Sequence, residues 1–164
     1  MGIPAHPLLI HFAVVFVPLL AVVAVGYALL PFLRPHLRLV LAVLAVIAPL
    51  AALFAKLSGE AFFERLRERG RVTEGFLPVI EHHESLGNNT MWAAFALGVV
   101  TLALVYFVAP PGARLRFAGA AGGTGGTRVL TVALAVLSIL AAAIAMYYVI
   151  RTGDSGAKAV WEGQ

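Results

Sequence analysis

The side chains able to do chemistry in this sequence are mainly its five histidines: His6, His11, His36, His82 and His83. Cysteine is absent, which removes disulfides, thiolate metal ligation, thiol redox chemistry and covalent c-type haem attachment. What is left is imidazole, a ligand for haem iron, zinc or copper and a proton carrier near neutral pH. His6 and His11 open an apolar run, PAHPLLIHF, and His82-His83 lie in EHHESLGNN ahead of another. On a helix, His6 and His11 are about 7 Å apart along the axis and about 140° apart around it. They cannot share a face, so they serve different partners or different depths of one pocket. His82 and His83 differ by about 100°, which lets one face neighbouring helices and the other water. His36 sits among arginines in a short turn and reads as a surface residue.

The elements that must position these histidines follow from composition. Of 164 residues, 61% are hydrophobic and only 12% charged, and mean hydropathy is +0.93. Soluble domains carry about a quarter charged residues, so the solvent here is lipid. A bilayer-spanning helix takes roughly 20 apolar residues, and four stretches answer to that: about 7–30, 39–55, 91–109 and 129–150. The expected fold is all-α, a four-helix transmembrane bundle forming a single polytopic domain over 1–164. Its opening reads as a first span rather than a cleaved signal, since no Lys or Arg precedes it. Residue 6 is His where an N-myristoylation signal needs Ser or Thr.

Details of the spans sharpen this expectation. GEAFFERLRERGR is too charged to cross, and gathers Phe62, Phe63 and Leu66 on one helical face. It predicts a short interfacial amphipathic helix between the second and third spans. Ala42, Ala45, Ala48, Ala52 and Ala55 on the second span, and Ala135, Ala142 and Ala145 on the fourth, form small faces that let helices approach closely. Pro18 and Pro49 fall inside spans and free carbonyls that partners must satisfy. Pro78 suits a helix start, from which nothing forces a break before Tyr106. AGAAGGTGGT follows no strand and lacks a P-loop ending, so it reads as flexible chain.

Four crossings put the N-terminus, residues 56–90 and the tail from Arg151 on one side of the membrane. The opposite side holds Arg34, Arg38, Arg114, Arg116 and Arg128 with no acidic residue. By the positive-inside rule the raw Lys and Arg count, five against seven, favours the side of the termini as cytoplasmic, whereas the short loops and their arginine density favour the opposite side, which is the expected one. The setting is then a bacterial inner membrane with both termini extracytoplasmic. The net charge of +4 is a matter of loop placement, with no nucleic-acid signal. His6, His11, His82 and His83 converge on the outer side. An ionisable side chain within a span is a functional candidate because desolvation is costly, and His11 meets that condition best.

Two histidines from different helices are what a b-type haem needs. In this reading His11 and His83 are axial ligands, His6 substitutes for either, Arg151 faces a haem propionate, and the protein passes electrons to a redox partner protein. A second reading is divalent-metal binding or transport, with zinc or copper held by His6, His11, His83 and Glu84. The polar turn from Glu84 to Thr90 places such a site near the membrane surface. A third is a cofactor-free accessory or assembly subunit whose histidines hydrogen-bond between helices. There is no Ser-His-Asp order and no His-Glu-x-x-His, which argues against independent hydrolytic or transferase activity. The expected partners are the lipid bilayer, a redox protein, and further copies of the chain or subunits of a larger complex.

HPLLIHF opening the first span, HESLGNN leading into the third and TGDSGAKAVW after the fourth resemble the uncharacterised bacterial membrane family known as domain of unknown function 2231. The resemblance covers nearly the whole chain in order. It implies that His6, His11, His83, Gly153 and Gly156 belong to the family's motif. Val160-Trp161 stands where relatives usually continue Val-Tyr, and Asp154 where some carry His. Some relatives are joined to cytochrome or Rieske-type modules, which implies a redox context by association.

Overall fold

The structure is a computed structural model that describes residues 5–108 and 123–161. Four long helices account for nearly all of these: α1 (Ala5–Leu29), α2 (Arg34–Glu68), α3 (Leu77–Phe107) and α4 (Gly123–Trp161). Short 3-10 turns, Pro31–Leu33 and Glu74–Phe76, lead into α2 and α3. All four helices are long and apolar enough to cross a membrane. Their outer faces suit only lipid: α4 alone exposes Val129, Val132, Val136, Leu140, Ile144 and Ile150. The core is built largely from Ala45, Ala48, Ala52, Ala94, Ala142 and Ala145 with Leu20, Leu41, Leu97 and Leu104. The small faces seen in the sequence therefore lie at helix contacts.

Several local expectations change. The amphipathic stretch is no separate interfacial helix but the last turns of α2, which runs unbroken through Ser58-Gly59 to Glu68. A Lys56–Glu60 ion pair, one turn apart, supports the helix across that dipeptide. The helix stops in a Schellman cap: Gly70 takes φ 61°, its N–H donates to Arg67 O, and Arg71 N–H donates to Leu66 O, each at 3.0 Å. Gly can adopt this left-handed conformation without the Cβ penalty. The glycine-rich run expected as flexible chain is helical from Gly123 onward, and its earlier part lies outside the described residues. α3 starts beside Pro78 and runs to Phe107 as expected.

At the far end from His6 and His83, Arg34 closes α1. Its Nε donates to Tyr27 O at 3.0 Å and its Nη2 to Ala28 O at 3.1 Å, satisfying carbonyls that a helix C-terminus leaves unpaired. Tyr27, fully buried, donates its hydroxyl to Val108 O at 2.9 Å, fastening α1 to the end of α3.

The bundle is built from two hairpins whose burial patterns correspond. α1 packs on α2 and α4, α3 packs on the same two, and α1 meets α3 only lightly across the diagonal. The sequence register that sets His6 against His83 also sets Ala13, Val17, Leu20, Ala21, Ala24, Tyr27 and Ala28 against Thr90, Ala94, Leu97, Gly98, Thr101, Leu104 and Val105. Every one of these residues is buried. A second register, Ser58 against Ser155, sets buried Leu41, Ala45, Ala48 and Ala52 against buried Ser138, Ala142, Ala145 and Val149. Hairpin α1–α2 is thus related to α3–α4 by a pseudo-two-fold axis running along the bundle.

Candidate functional site

Each hairpin builds the same seat for a histidine at the same end of the bundle. In the first, Ser58 on α2 donates its hydroxyl proton to Ala55 O at 2.9 Å. Its oxygen must then accept from the imidazole it meets, His6 Nδ1 at 3.1 Å. In the second, Ser155 on α4 donates to Thr152 O at 2.9 Å and accepts from His83 Nδ1 at 2.8 Å. A hydroxyl has one proton to give; with it on the carbonyl, each ring carries its own proton on Nδ1 and a lone pair on Nε2. The carbonyls of Ala55 and Thr152 also lie within reach of the two imidazole N–H groups.

The residue after each serine is glycine, and the reason is steric. A Cβ on Gly59 would lie 3.1 Å from His6 Cε1, and one on Gly156 would lie 3.0 Å from His83 Cε1. The ring and the opposing helix are therefore close-packed in both hairpins. Phe62, in the amphipathic end of α2, stacks on His6 with centroids 6.0 Å apart and planes 18° apart. Just beneath His83, Thr90 donates to Leu86 O at 3.0 Å and so accepts from Thr152 at 2.7 Å. The two half-buried imidazoles are near enough for charge on His6 to act on His83.

From His6 to Leu29 is about 35 Å of helix, against roughly 30 Å of hydrocarbon. With Leu29 at one face of the membrane, the pair sits at the opposite face. The ends of α2, α3 and α4 extend past it as a collar.

The structure reverses the order of the first two histidines. His11, expected as the inward ligand, is exposed and turns back on its own helix, Nδ1 lying 2.6 Å from Pro7 O. His6, expected as a helix-start residue and reserve ligand, is half-buried and turned to Ser58 on α2. Both lie on α1, and α2 lies on the side of His6. His82 and Glu84 are exposed, so His83 is the member of its pair that faces inward. No group of three or more His, Asp or Glu side chains gathers in metal-binding geometry among the described residues. The four candidate metal ligands His6, His11, His83 and Glu84 thus do not converge as a set.

Arg151 is exposed on the rim of a groove between α3 and α4, lined also by His82, Leu86, Asp154, Ser155 and Lys158. Sequence reasoning missed Ser58 and Ser155. Their signal is the dipeptide Ser-Gly, which follows both the second and fourth spans.

Searches among curated proteins and among solved structures find no match. The family described as "Predicted membrane protein (DUF2231)" matches residues 2–164. With four helices long and apolar enough to cross a membrane and a family match over nearly its whole length, the chain belongs to the DUF2231 family of membrane proteins.

Proposed function

We propose that the protein is an electron-transfer component of the bacterial inner membrane that holds one b-type haem between His6 and His83 at its extracytoplasmic face. The observation that carries this reading is the matched pair of imidazoles. Each comes from a different hairpin and sets its Nδ1 against a serine hydroxyl, which leaves Nε2 to bind when the ring proton is on Nδ1. Metal-bound histidines characteristically donate their second ring nitrogen in this way, which fixes tautomer and orientation.

The donor count favours haem over zinc. Structural zinc takes four protein ligands, and these two imidazoles have no third acidic or histidine partner in a ligating group among the described residues. Haem brings its own four equatorial nitrogens and asks the protein only for axial ligands. Bound there, the iron would supply one-electron redox chemistry. The protein's own part is to hold both rings in one tautomer at a depth that a partner redox protein outside the membrane can approach. Orientation with the termini outside rests on Arg34 and Arg38 in the short α1–α2 connection.

The test is a visible spectrum of detergent-purified protein, oxidised and dithionite-reduced. A Soret band with sharp reduced α and β bands is expected. His6→Ala and His83→Ala should each abolish it, while His11→Ala should leave it. A colourless protein from haem-replete cells, or a spectrum lost with His11 but kept without His6, overturns the reading.

A further inference from the structure

Each hairpin carries a groove between its helices; in register the two overlap at Leu9 with Leu86 and at Phe54 with Arg151, and they differ in chemistry. The one between α1 and α2 is apolar, lined by Leu9, Phe12, Phe16, Ile47, Leu50 and Phe54. The one between α3 and α4 is charged, with Arg151, Asp154, Lys158 and His82 beside Leu86 and Val79. In the register that pairs Ser58 with Ser155, Arg151 occupies the place of Phe54, Asp154 that of Leu57 and Lys158 that of Ala61. Phe54 is 53% exposed, the state of a side chain in contact with lipid. An arginine at the corresponding position, directly after Ile150 at 61% exposure, stands where the hydrocarbon gives way to headgroups.

We propose that the α3–α4 groove is a binding site for an anionic membrane phospholipid, its headgroup phosphate held by Arg151 and Lys158 and an acyl chain laid against Leu86 and Val79. Asp154 lies in the groove 3.0 Å from Lys158, so the acid is neutralised. Arg151 has no hydrogen-bond or ion-pair partner among the described residues. The groove therefore presents surplus positive charge to the headgroup layer, where guanidinium pairs with phosphate through two parallel hydrogen bonds. Ser155 belongs both to this groove and to the His83 seat, so a headgroup bound here sits one hydrogen bond from the imidazole. The proposal stands on the groove and not on the haem reading.

The experiment is native mass spectrometry of the full chain extracted from nanodiscs of equal phosphatidylglycerol and phosphatidylcholine. Wild type should retain one phosphatidylglycerol in preference to phosphatidylcholine. Arg151→Gln should cut that preference at least tenfold, and Lys158→Gln in the same direction. Arg65→Gln, an exposed arginine at the same end on α2, should leave it unchanged. His83→Ala should retain the lipid as wild type does. Equal retention of the two lipids, or an equal loss with Arg65→Gln, overturns the proposal. Loss with His83→Ala would show that retention depends on the histidine seat and not on the charges of the groove, and would overturn it as well.

Discussion

At the scale of single residues, the histidine seat makes opposite demands on two glycines of α4. Gly156 lies under His83, where a Cβ would come within 3.0 Å of the ring, whereas Gly153 has nothing within 4 Å. Replacing a helix-interior Gly with Ala gains about 1 kcal/mol of helix propensity. Gly153→Ala should therefore raise thermal stability in detergent and leave the histidine site as it is. Gly156→Ala should displace the imidazole and weaken whatever the pair binds, read as a changed spectrum or reduced cofactor retention. Ser155→Ala removes the acceptor of the His83 N–H. Loss of such a supporting partner is expected to cost about 10- to 100-fold in ligand retention, with only about 1 kcal/mol of stability. Equal effects of Gly153→Ala and Gly156→Ala on the site would refute the seat. The sequence made the histidines conspicuous because imidazole stands out against hydrocarbon. It could not rank His6 over His11, since helical geometry gives the angle between two side chains and not the direction of the neighbouring helix.

Among elements, the contact between α2 and α3 rests on a proline and a glycine that belong together. Pro49 has no N–H, so the carbonyl of Ala45 one turn earlier loses its helical donor. That oxygen is turned to α3 at Gly98, where a Cβ would lie 2.6 Å from Ala45 O and 2.9 Å from the Pro49 ring. Only the absence of a side chain lets the freed carbonyl and the facing backbone approach this closely. Because the opposing atoms are backbone and ring, they cannot yield as a flexible side chain would. Gly98→Ala should therefore destabilise the bundle by about 1–3 kcal/mol, the usual range for overpacking, despite the better helix propensity of Ala. Gly87→Ala, on the same helix with open space around it, is the matched control and should be neutral or stabilising. Thermal melts in detergent that rank the two variants alike would contradict this account. The helices themselves were legible because apolar length dictates them. That Pro49 needed a partner was legible too. Which glycine supplies it was not, because helix pairing is a three-dimensional choice that apolar periodicity leaves open.

For the whole molecule, the pseudo-two-fold explains both the resemblance of the two seats and the difference between the two halves. The first hairpin is close to purely apolar at positions where the second is polar. Ala13 and Ala55 correspond to the bonded pair Thr90 and Thr152, Ala24 to Thr101, Leu41 to Ser138, and Phe54 to Arg151. Thr101 and Ser138 are fully buried, and their hydroxyls have no partner among the described residues. The second hairpin is thus the less apolar partner, and it gains from packing against the first. Each hairpin closes on itself through its own His–Ser hydrogen bond, while the halves meet mainly through α2 on α3 and α1 on α4. A chain built this way should tolerate a break between the hairpins. Residues 1–108 and 123–164 do not divide it at that boundary, because α3 would stay with the first hairpin. The informative cut falls between Gly70 and Thr73, outside both helices that flank it. Co-expressed as 1–71 and 72–164, the two hairpins should co-purify as a one-to-one complex, and any spectrum that requires both His6 and His83 should appear only when both are present. The second hairpin expressed alone should be the less stable of the two, since it buries unpaired hydroxyls without the apolar face that compensates them. Hairpins that fail to associate, or a spectrum complete with the second hairpin alone, would show that the imidazoles do not act as a pair across the axis.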